Sequence, residues 1–130
     1  MIVLDASVVV ELLTNGPLAD YIRYELANPK EPFIVPHLVD VEVVSALRRL
    51  AVDRRIDSHR SAQMLAALAE LPAERYPHTP LLGRIWQIRR NFTAYDAAYI
   101  ALAEATNSAL CTCDEKLRKG HRARVVLINN

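Results

Sequence analysis

Glycine and cysteine are both scarce in this sequence, with 3 glycines and 2 cysteines among 130 residues. The low glycine content excludes collagen-like and low-complexity chains and is typical of an ordered globular protein. Cys111 and Cys113 lie too close along a predicted strand to form an unstrained disulfide, and a lone Cys-x-Cys pair is a weak zinc motif. We therefore expect both cysteines to be buried and reduced.

Long uncharged stretches are also missing. No run approaches the ~20 apolar residues that a transmembrane helix requires. The apolar start of the chain lacks the basic residues of a signal peptide and contains Asp5 and Glu11. These absences predict a cytoplasmic protein with no membrane partner, and the length predicts a single domain over residues 1–130.

Neither sign of charge is in excess, because the formal net charge is only +1. Net charge alone therefore gives no reason to expect a polyanionic partner. The basic residues are clustered, however, and basic clusters beside an acidic site would suit a phosphate backbone, although solvated helix surfaces explain each residue taken singly. The three clusters are Arg48, Arg49, Arg54, Arg55 and Arg60; Arg84, Arg89 and Arg90; and Lys116, Arg118, Lys119, Arg122 and Arg124.

Short apolar runs alternate with segments of helical periodicity along the whole chain. Strands are predicted at residues 2–4, 33–35, 74–76, 109–112 and 125–128. Helices are predicted at residues 7–13 (capped by Ser7), 18–27, 38–54, 57–71, 81–90 and 93–105, with one helical turn at 115–119 and a loop at 28–32. This pattern predicts an α/β fold, a three-layer sandwich around a central, mostly parallel sheet of four or five strands.

The predicted helix at residues 93–105 carries one carboxylate near its start. Thr93 is a suitable N-cap, and the side chain of Asp96 is placed to bond back to the backbone N–H of the cap. Capping alone would therefore explain Asp96. A functional role for this acid depends on which other groups the fold brings beside it.

Four acids are predicted to meet at one edge of the sheet. Asp5 and Asp114 each follow a strand, and Asp96 and Glu42 lie near the start of helices that cross back between parallel strands. The carboxyl ends of the strands and the starts of these helices lie at the same edge, where ligand sites gather. With 15 acids in the chain, several reach loop ends by chance, but Glu42 and Asp96 have apolar neighbours, where an unpaired charge is costly.

Carboxylates that are held together repel one another unless a cation lies between them. A set of oxygen ligands without His or Cys favours Mg²⁺ or Mn²⁺ over Zn²⁺. We therefore predict a metal site at Asp5, Asp96 and Asp114, with Glu42 as a fourth acid that binds through water or acts as a base. Two hydroxyls, Ser7 and Thr112, are placed to hydrogen-bond the carboxylates or bound waters. The remaining nearby acids, Glu11 and Asp40, point away from this set by helical spacing and are left out.

These residues resemble the motifs of the PIN-domain ribonucleases, and in particular those of the small VapC-like toxins of bacterial toxin–antitoxin pairs. The resemblance covers nearly the whole chain. It consists of four motifs in order: Asp5-Ala6-Ser7 after the first strand; Pro36, Glu42 and Leu47; Asp96, Tyr99, Leu102 and Ala103; and Leu110-Cys111-Thr112-Cys113-Asp114 with Leu117. One departure is Ser45, where relatives often carry Asn, and this puts one polar contact near the metal site in doubt.

The resemblance implies a Mg²⁺- or Mn²⁺-dependent endoribonuclease that cleaves a tRNA, a ribosomal RNA or another structured RNA and so stops translation. It also implies a homodimer and a cognate VapB-like antitoxin that covers the active site. For the dimer, the Ala- and Leu-rich residues 61–71 could form the face, although a core-facing stripe would look the same.

An RNA backbone would need basic residues at the rim of the acidic site. Arg89, Arg90, Lys116 and Arg118 are predicted near the right edge of the sheet. Two other readings stay open at this point. One is a phosphate-handling α/β enzyme, although Ser7 stands where a haloacid dehalogenase-like phosphatase needs a second aspartate. The other is a catalytically silent binding module of the same fold.

Overall fold

The structure is a computed structural model that describes residues 1–27 and 31–129. The predicted loop at residues 28–32 lies partly outside the described residues. Five short strands form one parallel sheet in the order β3-β2-β1-β4-β5. The strands are β1 (Ile2–Leu4), β2 (Phe33–Pro36), β3 (Ala73–Tyr76), β4 (Ala109–Thr112) and β5 (Val125–Leu127).

In the part of the chain that the structure describes, six α-helices connect the strands, as the alternation of apolar runs and helical segments predicts. They are α1 (Ala6–Thr14), α2 (Ala19–Ala27), α3 (Leu38–Val52), α4 (Ser58–Ala69), α5 (Leu82–Gln87) and α6 (Ala94–Ala105). Two 3-10 turns, Thr79–Leu81 and Glu115–Leu117, complete the described elements. Within the described residues, no helix is long and apolar enough to cross a bilayer.

The strand order explains the layers. The chain moves from β1 to β2 and on to β3 in one direction across the sheet, then returns to the other side of β1 to form β4 and β5. Right-handed crossovers therefore place α1–α4 on one face of the sheet and α5 and α6 on the other. The predicted three-layer α/β sandwich is confirmed, and the sheet has the higher of the two predicted strand counts.

The apolar runs form the centre of this sandwich because their side chains are buried on both faces of the sheet. Every residue of β1 and of β4 is buried. Helix α6 is buried from Ala97 to Ala103, which explains its many alanines: small side chains allow the helix to approach β1, β2 and β4 closely while α5 packs on its outer side.

Two helix predictions need correction. The N-cap of α1 is Asp5 and not Ser7: the Asp5 carboxylate accepts from the backbone N–H of Val8, and Ser7 lies inside the first turn. The predicted helix at residues 81–90 is a 3-10 turn followed by the short α5, which ends at Gln87. Ile88 and Phe92 are both buried beyond that point, so the chain leaves the helical path to bring them into the core.

Both cysteines are free thiols, as predicted, but only Cys111 is buried as expected; Cys113, just past the end of β4, is partly exposed. Cys111 is buried inside β4, and its burial raises the pKa of the thiol to about 12. A thiol with so high a pKa is neutral near pH 7 and therefore a poor metal ligand and nucleophile.

Candidate active site

The site begins at Asp5, the first residue after β1, whose carboxylate is held from three sides. The residue is only 5% exposed. Its Oδ1 accepts from the Ser7 hydroxyl at 2.5 Å and from the Val8 backbone N–H at 3.2 Å. Its Oδ2 accepts from the Thr112 hydroxyl at 2.5 Å. Each carboxylate oxygen has two lone pairs, so Oδ2 keeps one acceptor position beyond these bonds.

The two hydroxyls also join the end of β1 to the end of β4. Ser7 Oγ accepts from the backbone N–H of Cys113 at 3.1 Å, and Thr112 Oγ1 accepts from the backbone N–H of Asp114 at 3.0 Å. The Thr112 hydroxyl donates to the carboxylate of Asp5, which is distant in sequence, and not to the carboxylate of Asp114, which is close in sequence. Both hydroxyls fix the carboxylate at the point where the strand order reverses, which is the usual ligand position in such sheets.

Asp114 lies just past the end of β4 and is partly buried. Its Oδ1 accepts from the Lys116 backbone N–H at 2.9 Å and so caps the 3-10 turn Glu115–Leu117. The ammonium group of Lys116 lies close enough to Asp96 to favour its ionised form. This segment therefore brings one carboxylate, that of Asp114, and one ammonium group, that of Lys116, to the same edge of the sheet.

Asp96 lies in the first turn of α6, and the cap is only half of the expected motif. The hydroxyl of Thr93 accepts from the Asp96 backbone N–H at 3.1 Å. The reciprocal bond, from the Thr93 backbone N–H to the Asp96 carboxylate, is not formed within the described part of the chain. Burial raises the pKa of Asp96, and the charge of Asp114 raises it further. A hydrogen-bonding contact with the Thr93 side chain lowers the pKa of the Asp96 carboxyl, so capping accounts for only part of the surroundings of this carboxylate.

Glu42 approaches the same edge from α3, on the other face of the sheet. Its Oε1 accepts from the hydroxyl of Tyr99 on α6 at 2.6 Å. Burial raises the pKa of Glu42; the hydrogen bond from Tyr99 opposes this effect, and the charges of Asp96 and Asp5 add to it. Tyr99 is absent from the residues predicted to form the site. Its spacing of three residues from Asp96, which places both on one side of α6, was the available signal.

The four acids act on one another electrostatically. Burial raises the pKa of Asp5, and the hydrogen bonds from Ser7, Thr112 and Val8 only partly offset this, while the charge of Asp96 raises it again. Each acid with a raised pKa is thus raised in part by another member of the set. Without a cation, ionising all four together is unfavourable.

The spacing of these side chains bears on which ion they fit. Across residues 1–27 and 31–129, no three His, Cys, Asp or Glu side chains come close enough to form a metal shell by themselves. Mg²⁺ keeps several of its waters and is usually bound through only one or two carboxylates. A hydrated hard cation, held partly through water, therefore fits this donor set, whereas a dehydrated ion bound by side chains alone does not.

A cavity of about 730 Å³ lies between α1 and α3, and Glu42 is the one of the four acids that lines it. Ser7, Glu42 and the exposed Tyr95 lie in its wall, so it opens onto the site. Ser45 also lines it, but its side-chain hydroxyl forms no hydrogen bond with the other described residues. The contact that an asparagine would offer at this position has no counterpart here.

The acids left out of the prediction have other partners. Asp40 forms a bidentate pair with Arg75, with the closest N–O distance at 2.8 Å. Glu11 lies in the cavity wall, and its Oε2 accepts from the Leu18 backbone N–H at 2.9 Å. Both carboxylates hold local structure.

The four predicted rim residues differ in how they are held. Lys116 is exposed and lies near Asp96. Arg118 is paired with Glu115 at 3.0 Å, an exposed pair within one turn. Arg89 stacks over the ring of Trp86 at 4.2 Å from the centroid, and Arg90 is exposed beside it. Residues 88–93 lead directly to the start of α6, so both arginines lie close along the chain to the helix that carries Asp96.

Known proteins resemble this chain in sequence and in fold. Residues 2–122 match the PIN domain. Ribonuclease VapC9 of Mycobacterium tuberculosis (strain ATCC 25618 / H37Rv) is 45% identical over 118 residues, which cover 90% of this chain and 88% of the relative.

Two solved structures share the fold at low sequence identity. VapBC2 from Rickettsia felis, bound to a DNA fragment from its promoter, has a TM-score of 0.73 at 15% identity and covers 99% of this chain and 100% of its own. VapC20 of Mycobacterium tuberculosis, described as a sarcin-ricin loop cleaving toxin, has a TM-score of 0.67 at 14% identity, with 90% and 92% covered.

Proposed function

The chain belongs to the PIN-domain family and is a ribonuclease of its VapC group, and from this premise we propose that it is the metal-dependent toxin of a toxin–antitoxin pair. One observation carries the proposal. Asp5, Glu42, Asp96 and Asp114, from four separate segments, lie at the edge of the sheet where the strand order reverses, and the pKa of each acid that is raised is raised in part by the charge of another of the four. Such a set suits a divalent cation and a phosphodiester.

We assign the metal to Asp5, Asp96 and Asp114, with Mg²⁺ or Mn²⁺ as the ion. When bound there, the ion supplies a water of lowered pKa and neutralises charge on the phosphate. The carboxylate of Asp5 is oriented by hydrogen bonds from the hydroxyls of Ser7 and Thr112. The carboxylate of Glu42, facing the aspartates from α3, orients a water or accepts its proton.

The substrate is an RNA, and we propose a tRNA, a ribosomal RNA or another structured RNA. The site itself is acidic, so basic residues at its rim must hold the phosphate backbone. We assign that role to Arg89, Arg90, Lys116 and Arg118. Similarity to VapC9, named a ribonuclease, and the shared fold with VapC20, described as cleaving the sarcin-ricin loop, support this class of substrate.

We further propose a cognate VapB-like antitoxin, which the VapBC2 complex supports, and a homodimer. In the predicted dimer face at residues 61–71, Met64 and Leu68 are buried in the core, while Leu65 is 45% exposed. Leu65 lines a surface cavity with Val44, which is 43% exposed. Sedimentation equilibrium at micromolar concentration tests the dimer, and a single monomer mass would count against it.

The decisive experiment incubates purified protein with a pool of labelled cellular RNAs in Mg²⁺ or Mn²⁺. EDTA and Asp96→Asn serve as controls. Discrete fragments that disappear in both controls would establish metal-dependent cleavage at this site, and the fragment ends would identify the target RNA. If no RNA is cut while metal still binds, the chain is a silent binding module; labelling by acetyl phosphate would instead indicate a phosphate-handling enzyme.

A further inference from the structure

Tyr99 joins two of the elements that carry the acids. Its side chain rises from α6, three residues after Asp96, and its hydroxyl donates to Glu42 Oε1 on α3 at 2.6 Å. The two helices lie on opposite faces of the sheet, and the bond from Tyr99 to Glu42 joins them at its carboxyl edge. This hydrogen bond therefore fixes the Glu42 carboxylate relative to the helix that carries Asp96.

The ring of Tyr99 fills space in the core, and its hydroxyl has a separate role as a hydrogen-bond donor. Tyr99 is only 2% exposed and belongs to the main hydrophobic core. Phenylalanine would fill the same space without a polar atom that needs a partner after burial. The chain instead places a hydroxyl here, and that hydroxyl donates to a carboxylate rather than to a backbone carbonyl. A short bond to a carboxylate is stronger than one to a neutral acceptor and directional.

Glu42 depends on this bond for its orientation. It is partly exposed and lies in the wall of the cavity beside Asp5's partner Ser7. A glutamate side chain has three rotatable torsions, so without a fixed partner it would sample several positions in this cavity. Tyr99 is the described residue that donates to it.

We propose that Tyr99 is a positioning residue that holds the Glu42 carboxylate toward the metal-binding aspartates. This inference rests on the proposed function of the four acids. It predicts that loss of the hydroxyl alone reproduces part of the effect of losing Glu42, because partners of this kind typically contribute about 10–100-fold to metal affinity or activity.

The test compares wild type with Tyr99→Phe, Glu42→Gln and the double variant. Cleavage of a defined RNA gives kcat and KM, and calorimetric titration with Mn²⁺ alone gives a dissociation constant that does not depend on activity. Tyr99→Phe should lower kcat about 10-fold or more with KM unchanged, and should weaken Mn²⁺ binding about 10-fold. The double variant should be no worse than Glu42→Gln, since both changes act through one carboxylate.

Tyr76→Phe is the matched control. It removes the hydroxyl of a half-buried tyrosine on β3, which is the outermost strand on the side of the sheet opposite β4. This variant should leave kcat and Mn²⁺ binding unchanged. Tyr99 would be merely structural if Tyr99→Phe lowered the melting temperature but left both kcat and Mn²⁺ binding at their wild-type values, or if its effect multiplied fully with that of Glu42→Gln. A wild type that binds Mn²⁺ but cleaves no RNA would refute the proposed function, while the Mn²⁺ titrations would still decide the role of Tyr99.

Discussion

The carboxylate of Asp96 is placed where it lowers stability in the absence of metal. Burial and the charge of Asp114 raise the pKa of Asp96. Above the ordinary carboxyl pKa the unfolded state carries this charge in water, whereas the folded state carries it in a less favourable environment. Removing that charge should help the metal-free fold. A cost of this kind is common at functional sites, where stability is given up for activity.

We expect Asp96→Asn to raise the free energy of unfolding of the metal-free protein, because it removes this charge. The increase should be at most about 1 kcal/mol, because solvent screens a partly exposed group. This corresponds to about 4 °C in melting temperature for a chain of this size. Differential scanning calorimetry in EDTA measures the change. Asp20→Asn, with a side chain 99% exposed, is the control and should change little. An Asp96→Asn variant that melts below wild type would contradict the argument.

The pH dependence of the metal-free protein follows from the same shifts. The pKa values of Asp5, Asp96 and Glu42 are raised above the ordinary 3.8 for Asp and 4.5 for Glu. The folded state therefore binds protons more tightly than the unfolded state, and these groups make stability fall as pH rises from the ordinary values through the raised ones. Mg²⁺ should reverse this trend at neutral pH, with a gain of about 2.7 kcal/mol at a concentration 100 times its dissociation constant.

At the scale of whole elements, α6 is held at both ends by different chemistry. Asp96 lies at its start, near the predicted metal site. Glu104, one residue before its end, has a side chain only 8% exposed and accepts from Arg84 on α5 at 2.7 and 3.1 Å. The backbone N–H of Arg122 donates to it as well, at 2.8 Å. This second cluster fixes the helix at the edge of the sheet opposite the active site.

Glu104→Gln should lower the free energy of unfolding by about 1–3 kcal/mol, since it leaves Arg84 without its charged partner. Burial raises the pKa of Glu104, but the hydrogen bonds from Arg84 and Arg122 outweigh it, so the pKa lies below the ordinary value. This contribution is therefore present above the ordinary Glu pKa and lost as pH falls. Urea denaturation measures it, with the exposed pair partner Glu115→Gln as control. An unchanged midpoint would show that the cluster contributes nothing.

Elements and acids differ in how far the sequence predicts them. Strand β4 was predicted with its observed bounds because a short apolar run buried on both faces is a strong local signal. Asp5 and Asp114 were placed at one edge because parallel topology alone dictates it. The end of α5 was not predictable from periodicity, since the chain leaves the helix to bury Phe92, a tertiary effect. The bond from Tyr99 to Glu42 joins residues 57 positions apart, which local patterns do not reveal.

At the scale of the whole molecule, the small net charge of +1 conceals a strong separation of charge. The four acids lie at one edge of the sheet, and the basic residues assigned to RNA lie in the segments that precede α6 and follow β4. A second basic group, Arg48, Arg54, Arg55 and Arg60, lies elsewhere. Arg60 approaches the backbone carbonyl of Thr14 at the last turn of α1, the end remote from Asp5. The two groups therefore allow position and total charge to be tested separately.

Reversing all four rim charges (Arg89→Glu, Arg90→Glu, Lys116→Glu and Arg118→Glu) should weaken RNA binding and flatten its salt dependence. Each phosphate contact to single-stranded RNA contributes about 0.7 to the slope of log K against log salt concentration, so the slope should fall by up to about 3. Fluorescence anisotropy at several salt concentrations measures both quantities. Both quantities are measured in the Asp96→Asn background, so that no RNA is cut during the titration.

Reversing Arg48, Arg54, Arg55 and Arg60 instead changes the net charge by the same amount at the remote position. If RNA is held at the rim, this control should weaken binding only through long-range repulsion, which is screened beyond about 8 Å at physiological ionic strength, and the slope should stay close to that of the unsubstituted protein. Equal losses in both variants would mean that total charge, and not the position of these four side chains, determines RNA binding; circular dichroism would confirm that both variants remain folded.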